Sequence, residues 1–330
     1  PKDPLVRLEL IPTGKGPDAN SKIIRITRDK IKLEEQAAKM SIIEIKRLEQ
    51  PVRIGVIQIP TFYIDFEGRS QGDSDYRSTT RDTRKLIDAL KFSNVDGLVI
   101  DLRGNGGGAL TEAISLSGLF ITSGPIIQIR DARGRIRPRN DPDKGIAYSG
   151  PLAVLVDRES ASASEIFAGA MQDYRRGLII GEPTFGKGTV QNLIDLDRYS
   201  EDDSPVGQLK ITTAQFFRID GNSTQHRGIV PDIVLPMTVD SETQGERGLN
   251  HALPWAKIAA AKFQHFSDAS VVNELLSAKT AHEARLAIHP SLLFLRRNAA
   301  LDRRIEKQKS VSLLELARRN DKQRRDAERQ

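Results

Sequence analysis

Val95-Asp96-Gly97-Leu98-Val99-Ile100-Asp101-Leu102 is a short, nearly continuous apolar run. It gives way to Arg103-Gly104-Asn105-Gly106-Gly107-Gly108, after which residues 109–119 take up helical spacing. A run of this length beside glycines reads as a buried strand, the glycines as a loop that bends sharply, and the segment beyond as a helix. This β-loop-α unit recurs downstream: 152–156 reads as a strand, 162–174 as a helix, 178–180 as another strand and 184–188 as a glycine-flanked turn. Strands alternating with helices predict an α/β domain in which a sheet is layered with helices.

Working outward from that core, residues 5–10 and 23–27 alternate apolar and polar side chains as half-buried strands do, with a Gly/Pro loop over 12–17 between them. Two strands alone cannot bury a core. The segment 30–46 leads into a strand at 52–59, and after a polar stretch the run 83–90 has helical spacing. Beyond the core, 208–212 and 229–235 are strand candidates, and helical patterns run from about 253 to the end. No internal repeat and no low-complexity segment interrupts the chain.

Composition narrows the function classes. With 38% hydrophobic and 28% charged residues among 330, the chain has the balance of a globular protein of more than one average domain. No stretch approaches the roughly 18 consecutive apolar residues of a membrane helix. Pro1-Lys2-Asp3-Pro4 shows neither an initiator Met nor a basic-then-apolar leader, so a fragment or a processed form is expected. The absence of Cys excludes disulfides, thiolate metal sites and a Cys nucleophile. The net charge of +6 gathers at one end, where residues 296–329 hold twelve Lys/Arg against six Asp/Glu. Because the signs are interleaved and Ser312-x-x-Glu315 has the form of a capping box, a solvated helical extension is expected there, not a nucleic-acid arm.

Two glycine motifs invite a nucleotide reading. Gly104 to Ala109 fits the dinucleotide pattern, but no acidic residue follows about twenty positions on. Gly181-Glu182-Pro183-Thr184-Phe185-Gly186-Lys187-Gly188 fits a phosphate loop except at its end, where Gly188 replaces the Mg²⁺-binding hydroxyl. A glycine turn between strand and helix can instead aim backbone N–H groups at a developing oxyanion. That role needs a nucleophile, and Ser160-Ala161-Ser162-Ala163-Ser164-Glu165 supplies candidates where a buried strand gives way to a helix N-terminus. Ser162-x-x-Glu165 is equally a plain capping box. None of the five His residues stands in a buried strand-to-loop context. Lys187, between two glycines and near Phe185 and Val190, does: apolar neighbours lower a Lys pKa, as a general base requires. Surface charge is the competing reading of that Lys.

The three motifs at 99–108, 160–166 and 181–191, in this order, resemble the C-terminal processing peptidases, and within them the tail-specific protease branch of Gram-negative bacteria. The resemblance implies a Ser/Lys dyad with Ser162 as nucleophile and Lys187, 25 positions later, as base. It implies further that Gln191 orients the Lys, that the N–H groups of Gly108 and Ala163 form the oxyanion hole, and that Asp173 is a supporting acid, for which a helix-end salt bridge is the alternative. The implied organisation is the C-terminal part of a PDZ domain over 1–30, a linker or connecting helix over 31–51, a protease core with crotonase-like βαβ units over 52–236 and a helical region over 237–330. Unstructured polypeptides with apolar C-termini are the implied substrates, in the periplasm, with neither metal nor cofactor and no nucleic acid. A lipoprotein adaptor and peripheral membrane association are compatible with it. A peptide-binding module with an inactive Ser-Lys pair, and a nucleotide-binding protein using 181–188, stand as alternatives.

Overall fold

The computed structural model describes residues 5–12, 20–27, 36–46, 50–143, 145–200, 206–236, 245–266 and 269–329. The chain forms two compact units, Pro1–Gln36 and Ala37–Gln330. The first holds one antiparallel pair, β1 (Leu5–Leu10) and β2 (Lys22–Thr27), in register from Leu5 opposite Thr27 to Leu10 opposite Lys22.

The second unit is built on a six-stranded sheet. Its strands are β3 (Lys39–Ile45), β4 (Val52–Gln58), β5 (Gly97–Asp101), β8 (Leu152–Val156), β9 (Leu178–Gly181) and β12 (Ile233–Val234), in the spatial order β12-β9-β8-β5-β4-β3. All neighbours pair in parallel except β3 with β4. Parallel neighbours need crossovers, which are supplied by the short α1 (Phe66–Ser70) and α2 (Thr79–Phe92) between β4 and β5, by α3 (Leu110–Gly118) after β5, and by α4 (Ala163–Asp173) between β8 and β9. Ile57, Ile100, Leu102 and Val154 of the sheet are fully covered, as are Phe167 and Met171 of α4. Phe120 and Phe167 meet edge to face with centroids 5.7 Å apart. This is the α/β layering that the strand-helix alternation predicts.

The structure also departs from the sequence reading. The expected linker or connecting helix over 31–51 contains strand β3; residues 31–35 and 47–49 lie outside the described residues. Ile42, Ile43 and Ile45 are stiff at χ1 and suit a pleated edge, and all seven residues of β3 pair with β4. A second, antiparallel sheet was not anticipated. Its order is β10-β11-β6-β7, from β6 (Pro125–Asp131), β7 (Ile136–Asn140), β10 (Thr189–Asp195) and β11 (Gln208–Phe217). Five Arg between positions 130 and 139 mask its hairpin in sequence. The 229–235 candidate reduces to β12. Residues 253–266 are not helical: their backbone is held by the core, Ile258 N–H donating to Gly221 O at 2.9 Å and Ala261 N–H to Ile219 O at 2.8 Å. Helices begin at α5 (Ala269–Ile288) and continue with α6 (Pro290–Glu306) and α7 (Glu315–Glu328). The last is entered from Leu314, not Ser312. Arg304 with Glu328, and Arg329 with Asp302, tie α6 to α7, which accounts for the interleaved charges of that segment.

Candidate active site

Three loops leave the C-terminal ends of the adjacent parallel strands β5, β8 and β9, the position where open α/β sheets place their sites. The first is the glycine loop. Gly108 has φ +143°, and a Cβ there would sit 2.2 Å from the Phe62 carbonyl oxygen, so only glycine fits. The bridge to Phe62 uses the Gly107 carbonyl (2.9 Å) and the Ala109 N–H (2.8 Å), which leaves the Gly108 N–H outside that pairing.

The second loop carries Ser162 into α4. Its backbone, at φ 57° and ψ −108°, lies in a region that L-residues seldom occupy, at a cost of about 1–3 kcal/mol. Neighbouring bonds hold the turn in place. Ser160 Oγ donates to Leu102 O (2.8 Å) and Ser164 Oγ to Asn105 O (2.9 Å). Ala161 N–H also donates to Asn105 O at 3.0 Å. Ser160 and Ser164 thus fasten the Ser162 turn to the glycine loop through their own hydroxyls.

The third loop carries Lys187. Burial lowers its pKa from the ordinary lysine value, and the Lys210 charge lowers it further, against Glu246 and Glu165. Gly188 N–H donates to Gln225 Oε1 (2.8 Å), Gln225 Nε2 to Glu246 Oε1 (3.0 Å) and Thr224 Oγ1 to the Lys187 carbonyl (3.2 Å). These contacts bind Thr224 and Gln225 to the Lys187 loop.

Glu165 joins the second and third loops. It is fully buried, and each of its oxygens accepts two hydrogen bonds. Oε1 takes Thr184 Oγ1 (2.6 Å) and Gly186 N–H (2.7 Å); Oε2 takes Ser162 N–H (2.7 Å) and Lys187 N–H (2.9 Å). Burial pushes its pKa up to about 7, while these donors favour the ionised form. Reading Ser162-x-x-Glu165 as a capping box finds the Ser162 N–H bond and misses the other three. The sequence signal is an acid immediately before the small and apolar run Ile166-Phe167-Ala168-Gly169-Ala170-Met171. Asn105 carries no sequence signal beyond its place between glycines; its side chain donates to Ile59 O (2.7 Å) and accepts from Gly107 N–H (2.9 Å).

Ser162, Ala163, Lys187, Gly108 and Gln191 line one cavity of about 430 Å³. Gln191 follows a register shift in β10 and its amide reaches Thr212 Oγ1 at 3.5 Å, so its recorded bond does not go to Lys187. Asp173 is elsewhere. Eleven residues of helix, about 16 Å at 1.5 Å per residue, separate it from Ser162, and it pairs with Arg218. The expected supporting acid is the helix-end ion pair of the alternative reading. None of the five His residues lines the cavity.

Layered α/β architecture, a strained serine at a helix start and a desolvated lysine are the parts of a serine hydrolase. Residues 53–235 match the family model Peptidase family S41, and 239–330 match the C-terminal domain of tail specific protease. The chain belongs to peptidase family S41. It is 41% identical over 326 residues to the tail-specific protease of Haemophilus influenzae, covering 98% of this chain and 44% of that protein. It is 30% identical over 240 residues to the carboxy-terminal processing protease of Bacillus subtilis, covering 71% and 49%. The chain therefore spans less than half the length of these relatives. Among solved structures, the photosystem II D1 C-terminal processing protease superposes with a TM-score of 0.52 at 27% identity, over 72% of this chain and 57% of that one.

Proposed function

We propose that this chain carries the catalytic machinery of a serine endopeptidase that cleaves unstructured polypeptides with apolar C-termini through a Ser162–Lys187 dyad. The observation that carries the reading is the shared cavity, in which a strained Ser at a helix N-terminus faces the same space as a Lys whose charge is disfavoured by burial. Neutral Lys187 Nζ takes the proton of Ser162 Oγ as Oγ bonds to the scissile carbonyl carbon. The electron pair displaced onto the carbonyl oxygen is met by the N–H groups of Gly108 and Ala163. Collapse breaks the C–N bond, the departing amine takes the proton from Lys187, and water then releases the acyl group with Lys187 again as base. Gln191 borders the same cavity and orients the Lys or the substrate backbone. Glu165 is a positioning residue: through four hydrogen bonds it fixes the Ser and Lys turns to each other.

The β1–β2 pair is the end of a PDZ domain that recruits substrate tails, and the site of action is the periplasm, with a lipoprotein adaptor as the partner. These assignments rest on the family resemblance. Among the described residues no helix is long and apolar enough to cross a membrane. The test is covalent labelling with a serine-directed probe, together with cleavage of an unfolded polypeptide ending in apolar residues. Ser162→Ala abolishes both, while Ser160→Ala and Ser164→Ala, each losing one buried hydrogen bond worth about 1–3 kcal/mol of stability, keep both. Cleavage retained in Ser162→Ala sinks the reading.

A further inference from the structure

Beside the catalytic cavity lies a larger one, of about 820 Å³, between the start of α3, the helix α2 and the edge strand β7. The two share Leu110 and Thr111 among their lining residues, so they adjoin, and one extended chain is long enough to touch both. Its lining is markedly basic: Arg69, Arg81, Arg84, Lys85 and Arg139 against two acids, Glu112 and Asp143. Glu112 is committed to the fold, since its carboxylate accepts the Thr80 N–H at 2.8 Å and is buried. Arg84 and Asp143 are 3.7 Å apart, and Arg81 and Lys85 both lean on Asp75 from outside the cavity. Arg69 and Arg139 have no ion-pair partner among the described residues.

The basic wall continues along β7. Arg139 lies opposite Ile127 and Arg137 opposite Ile129, so by strand alternation both arginines project on the side of the sheet where Ile127 is buried. Arg137 also has no ion-pair partner among the described residues. Unpaired guanidinium groups round a cavity repel one another and lose that cost when an anion enters.

We propose that this cavity is a subsite for an acidic segment of the polypeptide being cleaved, with Arg69 and Arg139 as its principal contacts to Asp and Glu side chains. The proposal rests on the peptidase reading and adds to it a substrate preference. Continuity with the catalytic cavity favours a polypeptide over a free-standing polyanion, because one extended chain can occupy both. An acidic cluster within about six residues of the scissile bond reaches it, since six extended residues span about 20 Å.

The experiment compares peptides identical except for four Asp/Glu or four Ser/Gln placed upstream or downstream of the cleaved bond. The acid-flanked peptide on one side is cleaved with a kcat/KM about tenfold higher at low salt, through KM, and the advantage shrinks as ionic strength rises. In Arg69→Glu/Arg139→Glu the ratio of acidic to neutral peptide falls to one or below; Arg69→Gln/Arg139→Gln gives the same direction should the reversal impair folding. Equal cleavage of both peptides by the parent, or a preference that survives in the variants, overturns the proposal. Binding of the labelled acidic peptide to Ser162→Ala, read by anisotropy, tests the cavity independently of turnover, so a chain that cleaves nothing yet binds acids through Arg69 and Arg139 refutes the peptidase reading alone. Stronger binding to anionic phosphatidylglycerol vesicles than to the acidic peptide would reassign the cavity and overturn the peptide assignment.

Discussion

The two ends of α4 each bury a carboxylate, and they handle it in opposite ways. At the C-terminal end Asp173 is answered by a cation, Arg218, with Gln172 Oε1 accepting from the same guanidinium at 3.0 Å. At the N-terminal end Glu165 is answered by four neutral donors and no cation in direct contact. Had Lys187 itself been the cation paired with Glu165, the carboxylate would have held the ammonium proton more tightly. Neutral donors hold the acid while leaving the nearby amine free to lose its proton. One end of the helix is built for cohesion and the other for chemistry.

The largest effect that can break this comparison concerns Lys187. Arg keeps the charge but cannot accept a proton near neutral pH, so Lys187→Arg loses about 10⁴-fold or more in kcat, as Lys187→Ala does, whereas replacing each His by Gln leaves turnover within about tenfold. The neutral fraction of a base grows with pH, so the parent's rate climbs on an alkaline limb whose midpoint lies below the ordinary lysine value, about 10.4. Measured kcat–pH profiles decide it, and substantial activity in Lys187→Arg would refute the dyad.

Exchanging each acid for its amide sharpens the contrast. Asp173→Asn leaves Arg218 only the longer pair with Asp220 at 3.9 Å and costs about 3 kcal/mol in denaturant unfolding, with kcat per folded molecule within about threefold. Glu165→Gln cannot accept four hydrogen bonds, loosens both loops and lowers kcat about 10²-fold. It also changes the pH dependence of stability. A carboxyl raised from 4.5 to about 7 by folding binds its proton more tightly in the native state. Its contribution is therefore full below about 4.5 and is lost as pH rises to about 7, a span on the order of 3 kcal/mol. Subtracting the unfolding free energies of Glu165→Gln from those of the parent across that window should reveal a falling slope; a flat difference would mean that Glu165 titrates normally.

The smallest effect tests the strain at Ser162. Because glycine is at ease at φ 57° and ψ −108°, Ser162→Gly should melt above Ser162→Ala by about 1 kcal/mol, roughly 2–4 °C in Tm. Identical melting curves would show that the turn stores no strain.

What the sequence revealed and what it hid divide along the range of the interactions. Each catalytic loop was legible because glycine, serine and lysine announce a local backbone need: Gly108 has room for no side chain, and Ser162 opens a helix. The layered sheet followed from apolar runs. Gln191 points to Thr212 because a register shift in β10 aims it, and no periodicity encodes such a shift. The partner of Asp173 is not legible because Arg218 is 45 residues away. The β6–β7 hairpin stayed hidden since its arginines serve a surface, where hydrophobic alternation is absent.

The bonds of Glu165 to Thr184, Gly186 and Lys187 span 19 to 22 residues, whereas the bond from Ser164 to Asn105 spans 59. Loop-closure entropy grows with separation, so the contacts inside the β8-α4-β9 segment cost less entropy to close than the one that ties α4 to the glycine loop. On the mechanism proposed above, Ser162 and Lys187 are thus joined by the shorter closures and the Gly108 N–H by the longest.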